Sequence, residues 1–228
     1  MTIREIIQRI QSLYSKGVQS DDSRLTSRHI FNKLQSVNNL FLSRKLDKRE
    51  MVSNSAYIDL DCLNIVEDNV INCPCIQDLS CKIYRTECEI PEILTSKQGL
   101  LIKSVMSLDG NVKLNYTTFE DLKYLSGNKY TSKKMWYFIK DNYFYFVNTK
   151  KMKVVRISAI FKNMIEAMTY SCGNTEDCID FLDLPFATDI NLIEDIIGYS
   201  LNELIGTFSQ MLEDITNDSK DSHIQQSK

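Results

Sequence analysis

Glycine and proline are scarce in this sequence, seven and three residues of 228, which excludes a collagen-like or loop-dominated chain. Histidine is scarcer still. His29 and His223 are the two, and neither stands beside a nucleophile or a carboxylate pair at a catalytic spacing. A glycine-rich phosphate loop, an HExxH pair and a GxSxG elbow are all missing, so neither an enzyme nor a cofactor is expected. No run approaches the roughly 18 apolar residues of a membrane span, and no basic-then-apolar start marks secretion. The expectation is a soluble protein, made in a cytoplasm, without a membrane partner. Paired cysteine knuckles are missing too. Cys62, Cys73, Cys75, Cys81 and Cys88 supply enough thiols for zinc, but not at the CxxC spacings that hold tetrahedral geometry. Cys172 and Cys178 stand apart. Seven cysteines cannot all pair within one chain, so reduced thiols and no metal are expected.

What is present is a core-forming composition. The hydrophobic fraction is 43% and the aromatic fraction 10%, well outside the disordered class. The length suits one α/β body with appendages. The net charge of −3 conceals strong segregation: ten basic residues face five acidic over 1–50, and five face eleven over 51–122. Ten then face one over 123–163, and two face thirteen over 164–228. Blocks of this kind are either solvated faces or the opposed patches of subunits that meet head to side.

The apolar pattern predicts helix, then sheet, then helix. Ile3, Ile6, Ile7, Ile10, Leu13 and Tyr14 share one helical face over 2–16, with Thr2 and Glu5 as a capping box and Gly17 as the stop. A polar turn over 19–23 leads to a second helix over 26–48, carrying Ile30, Leu34, Val37, Leu40 and Phe41. Both stripes need a partner, either the rest of the chain or a neighbouring subunit. Ile58, Leu60 and Cys62 alternate with Asp59, Asp61 and Leu63 as a half-exposed strand, and a loop-like stretch follows to about 99. Residues 100–108 and 112–116 flank Asp109-Gly110-Asn111 as a hairpin, and Thr118 opens a short helix to about 125. Residues 135–140, 143–147 and 153–161 read as a three-strand meander, with Asp141-Asn142 as its first turn. After a mixed stretch over 162–184, Ile193, Ile196, Ile197, Leu201, Leu204, Ile205, Phe208, Leu212 and Ile215 define a long amphipathic helix over 189–215. The fold class expected is therefore α+β: an N-terminal helical hairpin and a long C-terminal helix packed with a central antiparallel sheet. The domain reading is a hairpin over 1–50, a body over 51–216 that includes the final helix, and a disordered polar tail over 217–228.

Residues 129–162 form a basic aromatic stretch. Lys133, Lys134, Lys150, Lys151 and Lys153 interleave with Trp136, Tyr137, Tyr143, Phe144 and Tyr145. Such a sheet can stack bases and neutralise phosphates, which makes a nucleic-acid-binding module the alternative function. Aromatics that alternate along strands are more often core, and lysines at hairpin ends are exposed for geometric reasons alone.

The order of these elements resembles virion structural proteins of crAss-like tailed bacteriophages. The resemblance is carried by Gly127–Lys134, by the strand pair Met135–Phe146 and by Val154–Phe161. Residues 2–28 are similar to the N-terminal helix pair of those proteins, and Phe186–Asp195 to the start of their final helix. One departure stands after Phe161, where Lys162-Asn163-Met164 replaces an acidic-proline turn. The resemblance implies a non-enzymatic ring subunit of the head-to-tail connector, twelve copies below the portal. Its partners would be itself, the portal and other ring or tail proteins, with DNA passing unread through the lumen. Its place would be the virion, assembled in the bacterial cytoplasm. A closed ring needs two different complementary patches on each subunit. They are expected at Lys133, Lys134, Trp136, Lys150 and Lys151 on the basic side and at Glu194, Asp195, Glu203 and Glu213 on the acidic side. Ile3, Ile6 and Ile10 are expected to add apolar interface.

Overall fold

The structure, a computed structural model, describes residues 1–15, 25–68, 83–122, 124, 129–130, 134–149, 152–170 and 180–221. In chain order its elements begin with α1 (Ile3–Tyr14), α2 (Ser27–Asp47), β1 (Ile58–Asp68) and β2 (Ile83–Thr86). The short pair β3 (Thr95–Ser96) and β4 (Gly99–Leu100) follows, then β5 (Ile102–Ser107) and β6 (Asn115–Tyr116). Next come β7 (Trp136–Lys140), β8 (Tyr143–Val147), β9 (Val154–Ala159), α3 (Met164–Met168) and α4 (Ile193–Asp221). The class is α+β. The elements form two compact units, one of residues 1–52 and 180–228, the other of residues 53–179.

The helical unit is α1, α2 and α4. The Thr2 hydroxyl accepts from the Glu5 amide at 3.3 Å, and the Glu5 carboxylate accepts from the Thr2 amide at 3.0 Å, so the expected capping box closes α1. Thr26 caps α2 by accepting from the His29 amide, and Arg49 in the left-handed region (φ 60°) ends it without a glycine. Ile3, Ile6, Ile7 and Ile10 of α1 are buried, as are Ile30, Phe31, Leu34, Val37 and Leu42 of α2 and Ile196, Ile197 and Leu204 of α4. Each such side chain contributes about 1.5–3 kcal/mol by leaving water, far more than the intrinsic helix preference of these short segments. The final helix, expected in one body with the sheet, packs with α1 and α2 within the unit of residues 1–52 and 180–228. It also runs past the expected end at Ile215 to Asp221, into the segment read as a disordered tail, while residues 222–228 lie outside the described set. Gly17 and the turn over 19–23 also lie outside it.

The sheet unit is a seven-stranded sheet in the order β5-β9-β1-β2-β8-β7-β6, antiparallel except for the β6–β7 pair. β1 serves two neighbours. Residues from Ile58 to Asn64 pair with β9, and residues from Ile65 to Asp68 pair with β2. Between Leu60 and Leu63 the register shifts, with Cys62 at φ 59°. That bulge corrects the simple alternation expected here: Leu60 and Leu63 are both buried, and Cys62 is exposed. The β7–β8 turn is as expected, Asp141 and Asn142 lying at φ 51° and 60° as a type I′ hairpin requires. The meander is overturned, because β9 does not join β8; it lies between β1 and β5. The Asp109-Gly110-Asn111 turn forms, with Gly110 at φ 75°. However, the returning strand leaves β5 after a bridge at Lys113 and continues as β6 alongside β7. β2 and the β3–β4 hairpin lie in the stretch read as loop. The core gathers Leu60, Leu63, Val105, Tyr137, Phe144, Phe146, Val155 and Ile157, with Ala167 of α3 closing over it. At the departure noted after Phe161, Asn163 caps α3 by accepting from the Glu166 amide.

Candidate assembly surface

The isoleucines of α1 are buried, while Leu13 is half exposed. Ile3, Ile6 and Ile10 are at most 1% exposed, so their stripe is satisfied by α2 and α4 of the same chain. Of the two partners expected for this stripe, the rest of the chain is the one these contacts supply. Two carboxylates of α4 are paired within the helical unit. Both oxygens of Glu194 accept from the Arg9 guanidinium at 2.7 Å, and Glu203 pairs with Lys33. Asp195 is exposed, and the Glu213 side chain lies outside the described set. Asp180 and Asp183, which precede α4, hold Arg4 at 2.8 and 2.9 Å and raise its pKa, the Asp183 hydrogen bond first.

A second polar group lies inside that unit. The Asn38 amide donates to the Ala187 carbonyl at 3.0 Å, and Thr188 donates to the Asn38 side-chain oxygen at 2.7 Å. Beside them Lys45 meets Asp189 at 2.6 Å, with Asp189 only 1% exposed and accepting a further bond from the Asn191 amide. These contacts tie the entry to α4 onto α2. They explain why the Phe186–Asp195 stretch is so polar for a segment whose first four residues are buried.

The basic aromatic stretch divides by burial. Tyr137, Phe138, Phe144 and Phe146 are buried, and burial pushes the Tyr137 phenol up to about 12. Phe138 stacks on Tyr145 at 5.0 Å and 7°. These rings are spent on each other and on the core, so they are not faces on which bases can stack. Arg85 of β2 lies over the Tyr143 ring at 4.4 Å. Lys134 is exposed beside half-buried Trp136, while Lys133, Lys150 and Lys151 lie outside the described residues.

Among the described residues, four strongly exposed aromatics lie elsewhere in the sheet unit, and sequence reasoning passed over them. Tyr116 and Phe119 stand at the β6 end of the sheet, Tyr116 against Tyr137 and Phe119 against Phe138, each at 5.6 Å. Both are exposed, as are Tyr124 and Tyr130. The available signal was four aromatics in 116–130 that fit no strand alternation, and hence no core position.

Cys88 is disulfide-bonded, which corrects the expectation of reduced thiols at that residue; Cys62 is a free thiol. Cys73, Cys75, Cys81, Cys172 and Cys178 lie outside the described residues. Among the described residues no cluster of ligating side chains could hold a metal, and no helix is long and apolar enough to cross a membrane. His29 is engaged with the Thr26 hydroxyl through Nδ1 at 3.1 Å, in the first turn of α2; His223 lies outside the described set.

No curated protein matches the chain. A family model for phage tail ring protein 2, of the crAss type, matches residues 5–225. That span takes in both units, from the first turn of α1 to beyond the end of α4, and the chain belongs to the phage tail ring protein 2 family.

Proposed function

We propose that this chain is a non-enzymatic subunit of the head-to-tail connector: twelve copies closed into a ring below the portal, around a lumen through which DNA passes. Membership in a tail ring family implies self-association and virion partners. The connector position, the copy number and the portal as neighbour follow from the resemblance of the element order to connector proteins of crAss-like phages. The observation that carries the reading is the family match over nearly the whole chain, since both units, and no separate catalytic module, fall within one structural family. Two physical features agree with it. In the helical unit Arg9 pairs with Glu194 and Lys33 with Glu203, and the isoleucines of α1 are buried, which suits a building block. The sheet unit keeps exposed aromatics on its rim, as interfaces do. The alternative of a nucleic-acid module loses its stacking faces, because the aromatics of β7 and β8 are largely buried or stacked on one another.

The test is electron imaging and native mass measurement of the purified chain, with antibody labelling of intact virions. Closed rings of twelve and label at the neck are expected. Monomers at all concentrations, or label confined to the distal tail, overturn the reading.

A further inference from the structure

The first half of α4 buries one face and leaves the other open. Asp195, Tyr199 and Asn202 follow one another at helical spacing, as do Gly198, Asn202 and Ile205, and all of them are exposed. Ile190, in the turn that enters the helix, is 68% exposed and Ile205 45%. A Cβ at Gly198 would meet nothing within 4 Å, so the fold itself does not require this poor helix former. The charge on this face is also unspent. Residues 180–207 hold six carboxylates and no lysine or arginine. Five of the six are paired within the helical unit, with Arg4, Arg9, Lys33 and Lys45. The sixth, Asp195 on the open face, has no ion pair among the described residues.

The sheet unit carries a surface of matching character. Tyr116 is 54% exposed and Phe119 66%, each held against a ring of β7. Lys113, Lys129 and Lys134 are exposed beside them in sequence and have no ion pair among the described residues. Over 113–134 five lysines face two carboxylates. One surface is aliphatic with an unmatched carboxylate; the other is aromatic with unmatched cations. A closed ring demands two such different patches, because each subunit gives one and receives the other.

We propose that the open face at the start of α4, from Ile190 to Ile205, docks on the aromatic rim of the sheet unit, at Tyr116 and Phe119, in a neighbouring copy of this chain. The contact is the lateral joint of the ring, and it rests on the ring reading. The two rings packed against the isoleucines supply the affinity. Asp195 against the rim lysines supplies register and rate of encounter.

The experiment uses the full-length chain with a photo-cross-linking benzoylphenylalanine in place of Phe119, made in light and heavy nitrogen isotopes and mixed before assembly. Cross-links that fall within 190–206, in light–heavy pairs, are expected. Cross-links to other segments, or only between groups of the same isotope, overturn the docking while wild-type rings remain intact. An absence of rings in the wild type overturns the ring reading itself. In parallel, I190E/I205E is expected to keep the wild-type melting curve, since both positions are exposed, and to raise the concentration for half-assembly by about tenfold. An unchanged assembly concentration in that variant overturns the proposal. K129E/K134E is expected to weaken assembly by about threefold, and adding D195K is expected to recover part of the loss. Unaltered assembly in the lysine variant, with only its retention on DNA lost, shows the rim to be a nucleic-acid contact and overturns the proposal.

Discussion

Asp189 shows how a residue acquires meaning only from its surroundings. It is almost fully buried, pairs with Lys45, and caps the turn that enters α4 through the Asn191 amide. A buried carboxylate that loses its cation is left charged in a poor solvent, so Lys45→Met is expected to cost about 3–5 kcal/mol. Adding Asp189→Asn should recover part of this, because the amide keeps an acceptor for Asn191 without the charge. Chemical denaturation of the single and double variants reads the difference, and equal stability of Lys45→Met and wild type removes the argument. Tyr137 gives a residue-scale dependence on pH. Its phenol, held near 12 by burial, keeps its proton in the folded state after the unfolded chain has lost it near 10. The stability it contributes is thus fully present below about pH 10 and falls as pH rises toward about 12. Tyr137→Phe should flatten the alkaline limb of the stability curve; an unchanged slope contradicts the assignment. How much of each was legible beforehand differs. Tyr137 was visible as an aromatic in an alternating strand, but whether its face was core or solvent was open until its pairing with Phe146 placed it among Val105 and Phe144. Asp189 read as a polar residue at a helix start, since nothing local announces a lysine 144 positions earlier in the chain.

Among the elements, α1 was legible almost residue by residue, because its cap and its isoleucine spacing are local signals. Ile6→Asp is expected to abolish cooperative folding of the helical unit, at a cost of several kcal/mol, about 3 or more, for an unpaired buried charge. A melting curve indistinguishable from wild type contradicts the burial. The β7–β8 hairpin was equally legible, for Asp141-Asn142 tolerates the left-handed conformation that a type I′ turn imposes. Asn142→Val places a β-branched residue at φ 60° and should destabilise the sheet unit by about 1–2 kcal/mol, whereas Asn142→Gly should be neutral or slightly stabilising. The reverse order of stability refutes the turn assignment. β2 was invisible because four residues, Ile-Tyr-Arg-Thr, carry no period long enough to read. They become a strand only by lying between β1 and β8.

For the whole molecule, assembly is the property that matters, and charge and apolar contact affect it differently. Exposed ion pairs contribute only about 0–1 kcal/mol each and are screened over shorter distances as salt rises. Ring formation is therefore expected to weaken between about 0.05 and 0.5 M salt without vanishing, the apolar joint persisting. Sedimentation of the wild type at both salts measures this. Complete dissociation at the higher salt shows that charge alone holds the ring; no salt effect shows that the segregated charges are solvated faces. The acidic block is already divided in this way, since Glu194 and Glu203 answer Arg9 and Lys33 in their own helical unit.

From sequence alone came the class, the three main helices, the hairpin at Asp141-Asn142 and the likeness to a phage ring family, because each rests on local period, local turn chemistry or the order of elements along the chain. Tertiary structure alone decided that α4 joins α1 and α2, that β9 leaves β8 for β1 and β5, and that Cys62 turns outward at a bulge. Those outcomes depend on contacts between residues far apart in sequence, where several partners satisfy the same apolar stripe and only simultaneous packing selects one.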